Sequence, residues 1–494
     1  MSKQESNTSK VMKGMSSQTL VTIVLGVVEI VSFSIMSRLL TKEDFGYYAA
    51  ITAITAIFAS FSETGIGSAI VQQKELTKRY VNNAFTLSLI FGSSISLLLL
   101  ILADPLSRSV ADESMKNPLM MMSITLLLNC LTSVNTSIIH RRMQFLLLGF
   151  IRLIALVATT CLAIGLAYKG FGYYAILTKA ILSSIITYFL SLFCCKTHFG
   201  IALDGQTFKK IFSFSGWLMA SVVFRNLAHQ IDRLLMPRLL SITALGAYNR
   251  PKDFVGQMSD KLCGIFDKAL FPVLSGIQDN RPALSSAFYR SMYVMNMFAL
   301  LLSMAFMFNS ELLIRVFFGE EWIHLRPVMF VVSFSVLFNF DGRLADCFLR
   351  SLAMTKQQFF FRVFETILNI IGVIIGYRWE ILGIAISLVI TNSLTKLVKI
   401  FYTGIKVNVK PQQTANVIFS SWRFSILLFP IYLLTYIFLP SSWSGSIIMA
   451  LVFMISTAIV FMFMPRFVGK EYEKEVYTKI QSFVQSKILK KNNN

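Results

Sequence analysis

The sequence predicts an all-α, polytopic membrane protein with about 14 transmembrane helices, arranged as two pseudo-symmetric six-helix bundles followed by two further helices. Three observations carry that expectation. Of the 494 residues, 55% are apolar and only 14% are charged, which is too hydrophobic a balance for a soluble chain of this size. Apolar windows of roughly 20 residues, enough to cross about 30 Å of hydrocarbon, recur along the whole length. One passage also occurs twice. Arg38, Leu39, Leu40 and Thr41, followed by Phe45, Gly46 and Tyr48, match Arg238, Leu239, Leu240 and Ser241, followed by Leu245, Gly246 and Tyr248, at the same internal spacing.

The windows fall near residues 15–37, 45–71, 81–103, 118–139, 146–168, 171–193, 210–236, 244–271, 286–308, 324–349, 357–377, 380–402, 417–439 and 444–464. The first is too long for a signal-peptide core and has no small-residue cleavage site, so it is expected to stay as an anchor. The seventh, eighth and tenth contain charges, but removing any of them would break the alternation of basic connections. Those connections hold Lys74, Lys78 and Arg79; Arg141, Arg142 and Arg152; Arg350, Lys356 and Arg362; and Lys396, Lys399, Lys406 and Lys410. Lys and Arg in short loops face the cytoplasm, so both termini are expected there, and the loop at Glu320 and Glu321 outside. The resulting division is an N-terminal six-helix bundle (1–205), a second bundle (206–405), two additional helices (406–468) and a cytoplasmic tail (469–494). In the tail, Glu471, Glu473 and Glu475 among lysines suit an amphipathic surface helix or a solvated anchor.

Several function classes are excluded. The net charge of +21 is spread in small clusters between apolar runs, not in the continuous basic stripe that nucleic acid requires. Cys130, Cys161, Cys194, Cys195, Cys263 and Cys347 show neither metal-ligand spacing nor a secreted disulfide framework. No phosphate-cradling loop or nucleophile elbow is present, and the connections are too short for a catalytic domain. An enzyme is therefore not expected, and neither is a cofactor or a metal.

Charges inside the spans are the functional candidates, because each costs roughly 2.5 to 3.5 kcal/mol at the centre of a membrane helix unless it lines a cavity or finds a partner. Arg225, His229, Asp232 and Arg233 recur at helical spacing and project to roughly one face. That face would suit an anionic head group; alternatively, Arg225 and Arg233 pair with Asp232 and Glu29 and brace the bundles. Glu29, alone in the first span, is either a proton-binding carboxylate or a structural hydrogen-bond acceptor. The eighth span opens with Arg250, Asp253, Asp260 and Lys261, the tenth carries Asp341, Arg343, Asp346 and Arg350, and the eleventh Arg362, Glu365 and Asn369. The expected substrate-binding residues are Arg225, His229, Arg233, Arg250 and Arg343. Glu29, Asp232, Asp346 and Glu365 are the expected coupling or ion-pairing carboxylates.

Five ordered blocks add a family resemblance: SRLLTKEDFGYYAAI from Ser37, SETGIGSAIVQQKELT from Ser62, IDRLLMPRLLSITALGAYNRP from Ile231, LFPVLSGIQDN from Leu270 and ELLIRVFFGEEW from Glu311. The chain resembles the polysaccharide-flippase family of colanic acid and teichuronic acid exporters, within the multidrug/oligosaccharidyl-lipid/polysaccharide exporter superfamily, although Thr64 stands where relatives often carry Leu. The resemblance implies two six-helix bundles in a V around a cavity alternately open to each side. It also implies a bacterial plasma (inner) membrane, a polyprenyl-pyrophosphate-linked oligosaccharide as cargo, and a polysaccharide polymerase as a candidate partner. A cationic column suits the pyrophosphate and an apolar flank the lipid. The competing readings are a cation-coupled multidrug exporter of the same fold, which would favour an acidic and aromatic cavity, and a membrane-embedded polymerase or glycosyltransferase, which normally carries a large extracytoplasmic loop or a soluble catalytic segment.

Overall fold

Backbone N–H and C=O groups inside hydrocarbon must bond within their own segment, so apolar windows of this length fold as helices. The computed structural model describes residues 21, 24–62, 66–73, 76–197, 199–202, 205–439 and 441–463, and these form helices with no strand among them. In chain order they are α1 (24–39), α2 (Lys42–Ser62), α3 (Ile66–Gln72), α4 (Lys78–Val110), α5 (Lys116–Arg141), α6 (Phe145–Tyr168), α7 (Tyr173–Cys195) and α8 (Gly205–Leu239). There follow α9 (Ile242–Gly276), α10 (Arg281–Phe308), α11 (Ser310–Phe317), α12 (Arg326–Ser351), α13 (Thr355–Gly376), α14 (Glu380–Lys406), α15 (Pro411–Phe438) and α16 (Trp443–Phe463). Among the described residues, seven helical stretches are long and apolar enough to cross a membrane on length and composition alone, the longest being Thr355–Lys406. α8 and α9 are not among them, and they are the helices that carry Arg225 to Arg233 and Arg250 to Asp267. Residues before 21 and after 463, including the expected surface helix of the tail, lie outside the described residues, as does Thr64 of the second block with its neighbours at 63 and 65.

The repeated passage builds two matching helix starts. Thr41 caps α2: its backbone N–H and hydroxyl both donate to an Asp44 carboxylate oxygen, at 3.0 and 2.8 Å, and its Oγ1 accepts from the Asp44 N–H at 3.2 Å. Ser241 caps α9 in the same way, accepting from the Ala244 N–H at 3.0 Å, but with Ala in place of the acid the second half of the box is absent. The two starts face each other. A Cβ on Gly46 would collide with the Ile242 carbonyl, and one on Gly246 with the Lys42 carbonyl. Residues 42 and 242, like 46 and 246, are two hundred apart, so the contact is reciprocal, the pattern of an approximate twofold.

The chain packs as two units, Met1–Asn249 and Arg250–Asn494. This packing seam falls inside α9, whereas the division read from the repeat falls just before α8. In the first unit α5 lies against α4 and α7, α6 against α7, and α2 against α8. Ile66, Ile70, Val81, Val134, Ile138 and Ile151 form part of its core. Arg141 and Arg142 do more than mark a loop: Arg141 donates to the carbonyls of Ile70, at 2.9 Å, and of Gln73, and Arg142 to that of Cys195 at 2.7 Å. They thereby satisfy carbonyls at the ends of α3 and α7.

In the second unit α12 is flanked by α10 and α14, α13 packs on α14, and α15 packs on α10. Met304, Met307 and Phe308 of α10 meet Leu428 and Tyr432 of α15 and Met449 of α16. A compact ion network fastens the same end. Glu311 accepts from Arg315 at 3.1 Å and from Arg326 at 2.9 Å, Arg315 also pairs with Glu320, and Arg326 donates to the Tyr436 hydroxyl at 2.8 Å with its guanidinium 3.9 Å from that ring's centroid.

Candidate functional site

The expected site residues divide between the two units. In the second unit, Asp346 of α12 and Glu365 of α13 are joined through Arg362 of α13, which donates to Asp346 Oδ2 at 2.6 Å and to Glu365 Oε2 at 2.8 Å. Lys399 of α14 completes the group, 2.6 Å from Asp346 Oδ1. No side chain of the four is more than 14% exposed, so each charge is desolvated and is tolerated because an opposite charge faces it. Gln358 adds a hydrogen bond at 2.9 Å to the Asp346 carbonyl. Lys396, one turn from Lys399, donates to Asn339 of α12. Lys396 and Lys399 are expected as connection charges, and Arg362 both as one and as a charge of the eleventh span. They instead lie inside α14 and α13, where carboxylate and amide partners from neighbouring helices hold them.

Arg343 lies on a different side of α12. It shares a face with Arg350, seven residues on, and both turn toward α9, where Asp260 and Asp267 are likewise seven apart. Arg343 pairs with Asp260 and lies 3.7 Å from Asp267, and Arg350 lies 3.9 Å from Asp267. Unlike the buried network, this ladder is partly open: Arg343 is 42%, Arg350 48% and Asp260 63% exposed, whereas Asp267 is 19% exposed. Arg343 is thus a balanced cation, not a bare one. Aromatic rings hold α9 beside it, with Phe266 against Phe298 and Phe340, and Phe271 under the Arg350 guanidinium. Arg250, also on α9, is buried.

In the first unit, α8 carries Arg225, His229, Asp232 and Arg233. Asp232 is buried, Arg225 and Arg233 are half-buried, and His229 is exposed. One Asp232 oxygen accepts from the Arg233 backbone N–H at 3.0 Å. Glu29 is half-buried on α1. Two polar contacts beside these residues carry no sequence signal beyond an isolated polar side chain: Asn226 donates to Ser60 of α2 at 2.6 Å, and Lys179 of α7 to Ser32 of α1 at 2.6 Å. The latter could have been suspected, since Lys179 is the one Lys or Arg between Tyr173 and Cys195.

Apolar helices long enough to cross a bilayer, with charges buried in pairs between them, define a multi-pass helical membrane protein. The backbone resembles the inward closed conformation of the lipid II flippase MurJ, with a TM-score of 0.71 at 15% identity over 91% of this chain and 98% of that one. It also resembles an inward-facing multidrug resistance MATE family transporter of the MOP superfamily, with a TM-score of 0.65 at 14% identity over 77% and 94% of the two chains. The chain belongs to the polysaccharide biosynthesis protein family, whose model matches residues 35–327. It is 22% identical to the lipopolysaccharide biosynthesis protein WzxC of Escherichia coli, across 87% of this chain and 86% of that protein, and 22% identical to the teichuronic acid biosynthesis protein TuaB of Bacillus subtilis, across 68% and 71%.

Proposed function

We infer that this chain translocates a polyprenyl-pyrophosphate-linked oligosaccharide across the bacterial plasma membrane for surface polysaccharide assembly, by alternating access. Membership of the polysaccharide biosynthesis family supports the pathway, and likeness to MurJ supports a fold suited to lipid-linked cargo. The observation that carries the chemistry is the open ladder on α9 and α12. Asp260 is so exposed that its hold on Arg343 contributes no more than about 1 kcal/mol. A pyrophosphate, with several negative charges and paired oxygens, bonds a guanidinium bidentately and displaces the exposed Asp260 carboxylate, while Asp267 stays beside Arg343 and Arg350. Arg343 and Arg350 would accept the pyrophosphate as Asp260 swings away, so the site rests neutral between loads. Arg225, His229 and Arg233 on α8, and Arg250 on α9, are further contacts in this reading, with Glu29 or Asp232 as a coupling carboxylate. Residues 1–205 and 206–405 are the two related halves, and both termini face the cytoplasm.

The likeness to a multidrug transporter keeps cation-coupled drug export as the second reading. The ladder's paired arginines favour an anionic cargo over a cationic drug.

Export of surface glycan, normalised to the amount of protein in the membrane, tests the proposal. A hydrogen bond to a charged group contributes about 1.5 to 3 kcal/mol, so Arg343→Ala should lower export roughly 10- to 100-fold. Arg343→Lys should also impair it, because an ammonium cannot bond two oxygens in one plane. Wild-type export by Ala variants of Arg225, Arg233 and Arg343 would reject the cationic path.

A further inference from the structure

The face of α12 opposite the ladder holds a carboxyl group that stands among the charges of the tenth span but belongs to neither the expected substrate-binding nor the expected coupling residues. Asp341 is completely buried, and so is Asn296 of α10, which meets it. Both N–H bonds of the Asn296 amide are committed, one to the Met292 carbonyl at 3.1 Å and one to Asp341 Oδ1 at 2.7 Å. Two acceptors are left over on the same pair: Asp341 Oδ2 and Asn296 Oδ1 are buried and have no hydrogen-bond partner among the described residues. Buried polar atoms are nearly always satisfied, and a bare carboxylate in this setting would be a desolvated anion with half of its acceptor capacity unused.

Among the described residues no ion pair offsets it. Of the cations on the helices packed against α12, Lys399 and Arg362 engage Asp346, Lys396 engages Asn339, and Arg315 and Arg326 engage Glu311, while Lys406 lies over the Tyr402 ring and Arg290 and Lys356 are exposed. Arg281 of α10 donates to the Lys406 carbonyl. On α12 itself, Arg343 and Arg350 face Asp260 and Asp267. Of the other acids on these elements, Glu365 and Glu320 lie against Arg362 and Arg315, and Glu321 and Glu380 are exposed.

One added proton resolves the whole tally. On Asp341 Oδ2 it turns one orphaned acceptor into a donor, and the orphan on Asn296 is the acceptor that donor needs. A metal cation fits less well, since Na⁺ would need several more oxygen ligands, and among the described residues no three His, Cys, Asp or Glu side chains converge. We propose that Asp341 carries a proton, shared with Asn296, and that loading and release of this proton are coupled to movement of α12.

The coupling follows from the geometry. When the O–H bond breaks and the proton leaves to water, the carboxylate keeps the Asn296 N–H and needs a further donor for its second oxygen, which favours a shift of α12 against α10. That shift also moves Arg343 and Arg350 on the far side of α12. A proton bound at Asp341 therefore favours one ladder geometry and its release another, which is the differential affinity that coupling requires. The protonated state itself does not depend on the transport reading; the coupling does.

Infrared difference spectroscopy on wild-type protein and Asp341→Asn, both in lipid vesicles at neutral pH, tests the protonated state. Wild type should show a protonated-carboxyl C=O band that shifts in heavy water, and the variant should lose it. Asn has the shape of the neutral acid and offers an N–H to Asn296, so the variant should accumulate and unfold like wild type. Absence of such a band overturns the proposal, and so does its displacement by Na⁺ at constant pH. Failure of the variant to fold overturns it too, since that would show that the charged carboxylate is needed. The coupling is read by flipping of a polyprenyl pyrophosphate bearing one labelled sugar, with and without an imposed proton gradient. The gradient should raise the wild-type rate at least severalfold and leave Asp341→Asn unchanged. Flipping that ignores the gradient in both overturns the coupling and leaves the band standing; no flipping by any form, with the band present, overturns the transport reading instead.

Discussion

Replacing Arg362 by Met should destabilise the second unit more than any single substitution among the open charges. Arg362 bonds both Asp346 and Glu365 in the buried network, at 2.6 and 2.8 Å, and its side chain is 14% exposed. The network holds two cations and two carboxylates, so its loss turns a neutral cluster into one with an excess buried negative charge. Removing one partner of a buried pair costs about 3 to 5 kcal/mol. That is a large share of the roughly 5 to 15 kcal/mol by which folded proteins are stable. Combining Arg362→Met with Glu365→Gln restores neutrality and leaves Asp346 with Lys399, so the double variant should recover about 2 kcal/mol or more. Equilibrium unfolding in mild detergent, on the two single variants and the double, measures this. Additive losses, with the double variant less stable than either single one, would refute the account of a charge-balanced cluster.

Two further predictions concern backbone approach and orientation. Gly46→Ala and Gly246→Ala should each cost about 1 to 3 kcal/mol in thermal unfolding, because the new methyl meets a backbone carbonyl that cannot step aside; Gly165→Ala, where nothing lies within 4 Å, should leave the midpoint unchanged or slightly raised. In a background without the native cysteines, an impermeant thiol reagent applied from outside should label a cysteine at position 320 and not one at 141, and the reverse result would invert the proposed topology.

How far the sequence discloses the molecule depends on the kind of signal each residue leaves. The repeat was legible because Arg38 to Tyr48 and Arg238 to Tyr248 share residue types at fixed spacing, and the reciprocal glycine contact is its spatial counterpart. Asp346 and Glu365 were legible as charges in apolar helices. Their partner Lys399 was read as a connection charge, because a lysine near a span end normally reaches the interface along its flexible stem. Here the stem turns inward to Asp346, a choice made by α12 and invisible in α14 alone. Asp267 is hard to read for a related reason: it sits near the end of its apolar window, and only the opposing Arg343 and Arg350 give it a role. Asn296 carries no charge and leaves no signal at all until Asp341 is seen against it.

The uneven bonding around α12 sets the mechanical character of the second unit. Toward α13 and α14 the helix is fastened by desolvated ion pairs, which are stiff, directional and little affected by salt. Toward α9 it is joined by partly exposed ion pairs, of which Arg343–Asp260 is the most open, and by aromatic rings, which slide and re-form at smaller cost. Stress applied to this unit is therefore borne as a block of α12, α13 and α14, and strain collects at the α9 boundary. Raising the ionic strength softens that boundary while leaving the block rigid, so salt acts on the molecule as a lubricant at one face only.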